Sequence, residues 1–467
     1  MTATAPATVP RSGARGTRLP VTATDRLCRI GSVISRVGPL TMPSRAAIVD
    51  ALYRIASIGP QIRIGLVPAP DGRTWRFDAA GLRARCEQMV VEVPADDDLD
   101  HAVAEVIASI DPMCPVRIVI AGRYMLQVFD HSLVDGRFTL GLPGALLTVA
   151  AGGPVPEWLT APTLRRPVVA AVVDTFVRHP RNVLSLLGAR LRTAATSHPE
   201  GRPLHEGRSH REVAGRPGAY PALVDAPESA ADAPRVPWRP ATHVVWESGE
   251  PTGFRDVRAW IRATDPRLSF GAVLLVMLRA AFHAEGIAVA PDADMVYDVR
   301  RFLPEGGQTN GNLVTGIPIH GAEDVQAVED QLVSTLETGR PVAALAAGVL
   351  RESVRPNRIG AVMPDLAPLY PRARISLSNI GLSRPLQNLP WADAPVHEAA
   401  YAMHPVGPET LGIQAIVIDR ALQLTVSFNG NVFRREAVER AVHRVVSAPM
   451  DVLEGLDAAK DGAGGTV

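Results

Sequence analysis

The chain has 467 residues, with 48 basic and 48 acidic side chains and no net charge when histidine is neutral. That balance gives no whole-chain case for a nucleic-acid partner, and the length suits two units of roughly 200 residues better than one compact domain. Cys28, Cys86 and Cys114 are too few and too scattered for a disulfide framework or a zinc motif.

Apolar runs such as 272–278 and 342–350 fall far short of the ~20 residues of a membrane span. The N-terminus has no apolar h-region, so the expectation is a cytoplasmic protein. Among the basic residues only Lys460 is lysine, a mark of GC-rich coding that says nothing of function.

Residues 1–24, rich in Ala, Thr, Pro and Arg, read as a flexible tail. Over 44–58, Ile48, Leu52 and Ile55 recur at helical spacing behind Ser44 as N-cap. Strands are expected at 62–67 and 74–77 around an Asp71-Gly72 turn, then a strand at 88–93 and a helix at 99–110. Residues 116–121 and 124–129 read as a hairpin through Gly122-Arg123. The apolar stretch from Gly136 to about 151 reads as a helix that Pro143 should kink or interrupt.

This mixed α/β unit, 25–155, is followed by a connecting region, 156–237. There 165–197 predicts two basic amphipathic helices broken near Pro180, and 198–233 reads as a mobile linker rich in Pro, Gly and His. The helix pair interleaves Val169, Val173, Phe176, Leu184, Leu187 and Leu191 with Arg178, Arg181, Arg190 and Arg192. It reads either as a surface for anionic lipid, a pantetheine phosphate or an acidic carrier protein. The simpler reading is helices packed beneath the connection, their arginines solvated. The second unit, 238–456, predicts a strand at 242–246, helices at 254–263 and 269–285, and a strand at 294–299. A hairpin over 410–418 and 422–428, one closing helix at 434–456 and a tail at 457–467 complete it.

Candidate chemistry concentrates in Val128-Phe129-Asp130-His131-Ser132-Leu133-Val134-Asp135-Gly136. His131 stands where a strand gives way to a loop, a rigid frame for a reactive side chain. Gly136 allows a turn that a Cβ would crowd. A histidine with an aspartate four residues on is weak evidence alone, and no second cluster at ligand spacing supports a metal. Two more segments stand out: Asp298-Val299-Arg300-Arg301-Phe302-Leu303-Pro304 followed by Gly311-Asn312, and Ser376-Leu377-Ser378-Asn379-Ile380-Gly381. Taken singly, the first could be a surface cation pair and the second an ordinary Asn/Gly turn. No Gly-x-Ser-x-Gly elbow offers a serine nucleophile.

Together these segments resemble the signatures of the chloramphenicol acetyltransferase-like superfamily. It includes nonribosomal condensation domains, polyketide-associated acyltransferases, wax ester synthases and plant BAHD enzymes. The HxxxDG over 131–136 resembles its HHxxxDG, with Asp130 in place of the first histidine. Residues 298–312 are similar to its DxRxxLP…GN segment, and 378–381 to the SNxG of the wax ester and polyketide-associated branches; the plant DFGWG is absent. The resemblance covers about 25–455 and implies two similar α/β lobes in a V with the site at their junction.

It also implies acyl transfer from a thioester, on CoA or on the phosphopantetheine of an acyl- or peptidyl-carrier protein, to a small-molecule alcohol or amine. His131 would be the general base, a role suited to imidazole with its ordinary pKa of ~6.5, and Arg300 would pair with Asp135. Ser378, Asn379, Asp130 and Asn312 would be the substrate or oxyanion candidates. Asp130 either faces the histidine or points away along the strand, and strand alternation favours the latter. No resident cofactor or metal is implied, and a monomer is expected. An amide-forming stand-alone condensation enzyme and a catalytically silent carrier-protein docking module are the alternatives.

Overall fold

The computed structural model describes residues 16–29, 31–93, 114–196, 234–354 and 364–463. The helix expected over 99–110 and the linker over 198–233 lie outside them. In the first half the strands are β1 (Thr17–Pro20), β2 (Ser32–Gly38), β3 (Leu66–Pro68), β4 (Thr74–Phe77), β5 (Val90–Val93), β6 (Val116–Ala121) and β7 (Tyr124–Asp130). Then come β8 (Arg235–Pro237), β9 (Thr242–Ser248), β10 (Ala293–Asp298), β11 (Val314–Ile319) and β12 (Leu366–Pro368). The last are β13 (Arg374–Leu382), β14 (Glu398–Met403), β15 (Thr410–Ile418) and β16 (Ala421–Asn429).

Two mixed sheets carry the molecule: β14-β2-β7-β6-β5 and β11-β10-β13-β15-β16-β9. A small antiparallel sheet, β1-β4-β3, flanks the first, and β12 pairs with β8. Each main sheet packs against helices around its own core. In the first, Ile48, Leu52 and Ile55 of the Arg45–Ala56 helix are fully buried, with Ser44 capping the helix through the Ala47 N–H. In the second, the Phe270–Ala284 helix buries twelve of its residues, Phe270 to Arg279 without a gap and then Ala281 and Phe282, against the sheet and the closing helices. A helix apolar on most sides is an interior element.

The lobes are not consecutive in sequence. β14, from the second half, pairs antiparallel with β2 and forms the edge of the first sheet, which corrects a clean division at 238. The outer edge of β14 meets the polar face of β16: Ala399 N–H donates to Gln423 Oε1 (2.6 Å), Tyr401 N–H to Thr425 Oγ1 (3.3 Å), and Gln423 Nε2 to His397 O (2.5 Å). β16 alternates Leu422, Leu424, Val426 and Phe428 into its own core with Gln423 and Thr425 toward β14. The strand edge is thus satisfied by side chains, and the two lobes are joined there.

Other expectations need correction. The tail does not extend to 24: β1 pairs with β4, and the Ala23–Leu27 helix begins with a capping box between Thr22 and Asp25. Residues 82–89 are helical, so the strand near 88–93 starts at Val90. A 3-10 turn at Pro60–Ile62 shortens the strand expected at 62–67 to Leu66–Pro68, and the closing helix divides into Arg435–Ser447 and Pro449–Ala463, where Pro449 starts a new helix. The Gly136–Ala150 helix runs on through Pro143, because burial of ten of its residues holds it despite poor propensity. The helix pair is Pro167–Val172, continuing as a π-turn Val173–Val177, then Arg181–Thr196. Among the described residues no helix is long and apolar enough to cross a membrane.

Candidate active site

β7 delivers His131 to the turn that follows it. The His131 N–H donates to Gly31 O (3.0 Å), and its carbonyl accepts from Asn312 Nδ2 (2.7 Å), which comes from the other lobe. Nδ1 lies 3.1 Å from Val134 O. A carbonyl oxygen can only accept, so Nδ1 carries a proton, and in the neutral ring Nε2 is the nitrogen with the lone pair. His131 is 5% exposed and lines a cavity of about 1120 Å³ between the lobes. That exceeds the ~300–1,000 Å³ of an ordinary ligand pocket and leaves room for two substrates or one bulky one.

Asp135 is the N-cap residue of the following helix, yet its side chain caps nothing. Its Oδ2 lies 2.7 Å from Arg300 Nη2 and accepts from Leu313 N–H (3.3 Å). Arg300, on the 3-10 turn Val299–Phe302, also donates to Asp298 Oδ1, Thr309 O and Gly311 O. Burial works against the guanidinium charge, but Asp135 and Asp298 outweigh it and raise its pKa above the ordinary arginine value. Asp135, Arg300 and Asn312 therefore join the HxxxDG loop to the 309–313 segment.

The candidates divide by position. Ser378 and Asn379 line the cavity from β13, where a bulge between Asn379 and Gly381 is made by Gly381 in the left-handed region (φ +64°). Asn379 Oδ1 is buried and has no hydrogen-bond partner. Asn312 does not line the cavity; it holds the His131 backbone. Asp130 is a correction: its Oδ1 accepts from Ser132 N–H (2.8 Å) and Ser132 Oγ (2.5 Å), and it sits with Cys114, Arg117 and Val128, away from the cavity. It shapes the turn and touches no substrate space.

No family model and no curated protein matches the sequence. Solved structures do. TRI3 trichothecene 15-O-acetyltransferase from Fusarium sporotrichioides aligns with a TM-score of 0.59 at 9% identity, over 95% of this chain and 96% of that one. The condensation domain of the monacolin K polyketide synthase MokA gives 0.55 at 12% identity over 94% and 96% of the two chains. The first condensation domain of the CDA synthetase gives 0.55 at 14% identity over 94% and 96%. The chain has the condensation-domain and acyltransferase fold.

Within this acyltransferase-type fold several wall residues escaped the sequence reading. Leu27 and Cys28 enter from the N-terminal helix, and Tyr401 and Met403 from β14, two elements not expected there. Burial, then Asp135 and Cys28, push the Tyr401 phenol well above its usual range; burial, then Asp135 and Asp25, push the Cys28 thiol up. Both stay protonated near neutrality, so Cys28 is no thiolate nucleophile. Arg63, itself in the left-handed region (φ +70°), pairs with buried Asp25 (2.8 Å) and donates to Ser132 O (3.2 Å), bracing the motif loop from below. Ala344, Leu345 and Gly348 from the Arg340–Val354 helix form an apolar wall, and Gly316 on β11 leaves open space where a Cβ would stand. Among the described residues no group of three His, Cys, Asp or Glu side chains could hold a metal ion.

Proposed function

We propose that the protein is an acyltransferase that moves an acyl group from a thioester to an alcohol or amine, with His131 as general base. What carries this reading is the placing of the histidine: Nδ1–H is held by Val134 O, so in the neutral ring Nε2 is the acceptor, on a residue that lines the interlobe cavity. Nε2 takes the proton of the acceptor hydroxyl or amine as its O or N attacks the thioester carbonyl. The oxyanion collapses, the C–S bond breaks, and the imidazolium returns the proton to the leaving thiolate. The products are an ester or amide and a free thiol, with no acyl-enzyme. Ser378 and Asn379 are the candidates to face the oxyanion or the substrate carbonyl. Asp135 and Arg300 hold the loop and touch no reacting atom.

Donor candidates are acyl-CoA and acylated carrier proteins. An O-acetyltransferase and condensation domains of polyketide and peptide synthesis share the fold, which fits either ester or amide product. The test follows thiol release and product mass with acyl-CoAs and acyl-carrier proteins against hydroxyl and amine acceptors. Loss of turnover in His131→Ala by ~10²–10⁴-fold is expected. Turnover retained in that variant, or an acylated protein intermediate by intact mass, would refute the mechanism.

A further inference from the structure

The helices over 167–187 carry an unpartnered outer row. Their inner face is accounted for: Val168, Val172 and Phe176 pack with Val342 and Leu345 of the Arg340–Val354 helix, whose own inner face lines the catalytic cavity. The outer face is not. Val169, Val177, Leu184 and Leu187 are 54%, 68%, 71% and 53% exposed, and Val173 lies between the first two. Isolated exposed aliphatics are ordinary, but a run of them on one face marks an interaction site.

Exposed arginines flank the row: Arg165 and Arg166 at its start, Arg178 and Arg181 at the break. Only Arg178 is in an ion pair, with Asp174 (2.7 Å); among the described residues no carboxylate neutralises Arg165, Arg166 or Arg181. The row holds Val and Leu without Trp or Tyr, and none of its side chains lines the interlobe cavity. Protein interfaces are anchored by aromatic residues set in pockets. An exposed aliphatic row bordered by arginines is instead complementary to acyl chains beneath anionic headgroups.

We propose that this face docks the protein on an anionic lipid surface, with the valines and leucines entering the headgroup–acyl boundary and Arg165, Arg166 and Arg181 meeting lipid phosphates. Two helical layers, the docking helices and the Arg340–Val354 helix, would then separate the bilayer from the cavity. This inference stands whether or not the acyl-transfer reading holds, since it concerns a surface away from His131.

The test is cosedimentation of the full chain with vesicles of phosphatidylcholine alone and with about a third phosphatidylglycerol. Binding is expected to the anionic vesicles only and to fall as salt rises. An anionic surface strengthens binding by roughly fivefold per arginine, so Arg165→Glu with Arg181→Glu should weaken it at least about 25-fold. The double variant Val177→Ser with Leu184→Ser should also release the protein while leaving its melting temperature unchanged, because both side chains are exposed. Failure to bind either vesicle overturns the proposal, as does binding undiminished from the wild type in both double variants. It is also overturned if light scattering without lipid shows a dimer that the serine variant abolishes, which assigns the row to a second copy.

Discussion

Removing Arg300 tests whether the Asp135 carboxylate depends on it. The pair is buried on both sides, at 6% and 1% side-chain exposure. Without the guanidinium, Asp135 keeps only the Leu313 N–H at 3.3 Å, and its Oδ1 already lacks a hydrogen-bond partner. Thr309 O and Gly311 O lose their donor as well. Breaking one side of a buried pair costs roughly 3–5 kcal/mol, because the remaining charge stays out of water. At roughly 2–4 °C per kcal/mol for a unit of 150–250 residues, Arg300→Met should lower the melting temperature by about 6–20 °C. Arg300→Met combined with Asp135→Asn should recover at least half of the loss, since an amide needs no counter-charge. The assay is thermal unfolding of the four proteins of that cycle. A single-variant loss below about 1 kcal/mol, or a double-variant loss equal to the sum of the singles, would refute the claim that the carboxylate is held as a buried charge.

Further outcomes follow from other contacts at the site. A Cβ on Gly136 would sit 3.2 Å from the Tyr401 hydroxyl, so Gly136→Val should destabilise by about 1–3 kcal/mol, with Tyr401→Phe recovering part; unfolding in urea measures both. Gly316→Phe projects into open cavity, so it should leave the melting temperature nearly unchanged while shifting the preference between short and long acyl thioesters at least about tenfold in competition assays. Burial lowers the pKa of His404, which lies 3.0 Å from Thr242 Oγ1. The unfolded chain, titrating at ~6.5, then binds that proton more readily than the folded one, so this contribution is full above ~6.5 and is lost as pH falls through the folded value. Melting curves between about pH 7.5 and 5.5 should show that loss, and His404→Gln should flatten it.

What the sequence made legible is what local pattern determines. The hairpin of β6 and β7, the Arg45–Ala56 and Phe270–Ala284 helices and the β15–β16 hairpin follow from periodicity and caps carried on the segment itself. The places that misled are those where distant chain decides. Nothing in Thr17–Pro20 marks a strand until β4 lies beside it, and Glu398–Met403 is a weak alternation that becomes a sheet edge only between β2 and β16. Helix propensity disfavours Pro143, but its helix is held by packing.

The same division explains the site. HxxxDG is readable because its members lie within six residues, but the groups that fix its geometry are far away along the chain. Asn312 holds the carbonyl of His131, Arg300 pairs with Asp135, and Asp25 with Arg63 braces Ser132. Arg26, next to Asp25, pairs with the fully buried Glu352 on the helix that forms the apolar wall. Each of these partners is charged or polar, and each reaches across the cleft or up from the N-terminal segment, so a shift of one lobe against the other breaks several ion pairs and hydrogen bonds at once. Because a charge left unpaired inside the cleft is costly, these contacts select one relative placement of the lobes more strongly than the apolar surfaces beside them, which tolerate sliding. The HxxxDG loop is therefore set by the closure of the two halves, and the N-terminal segment that reads as a tail is part of the device that closes them.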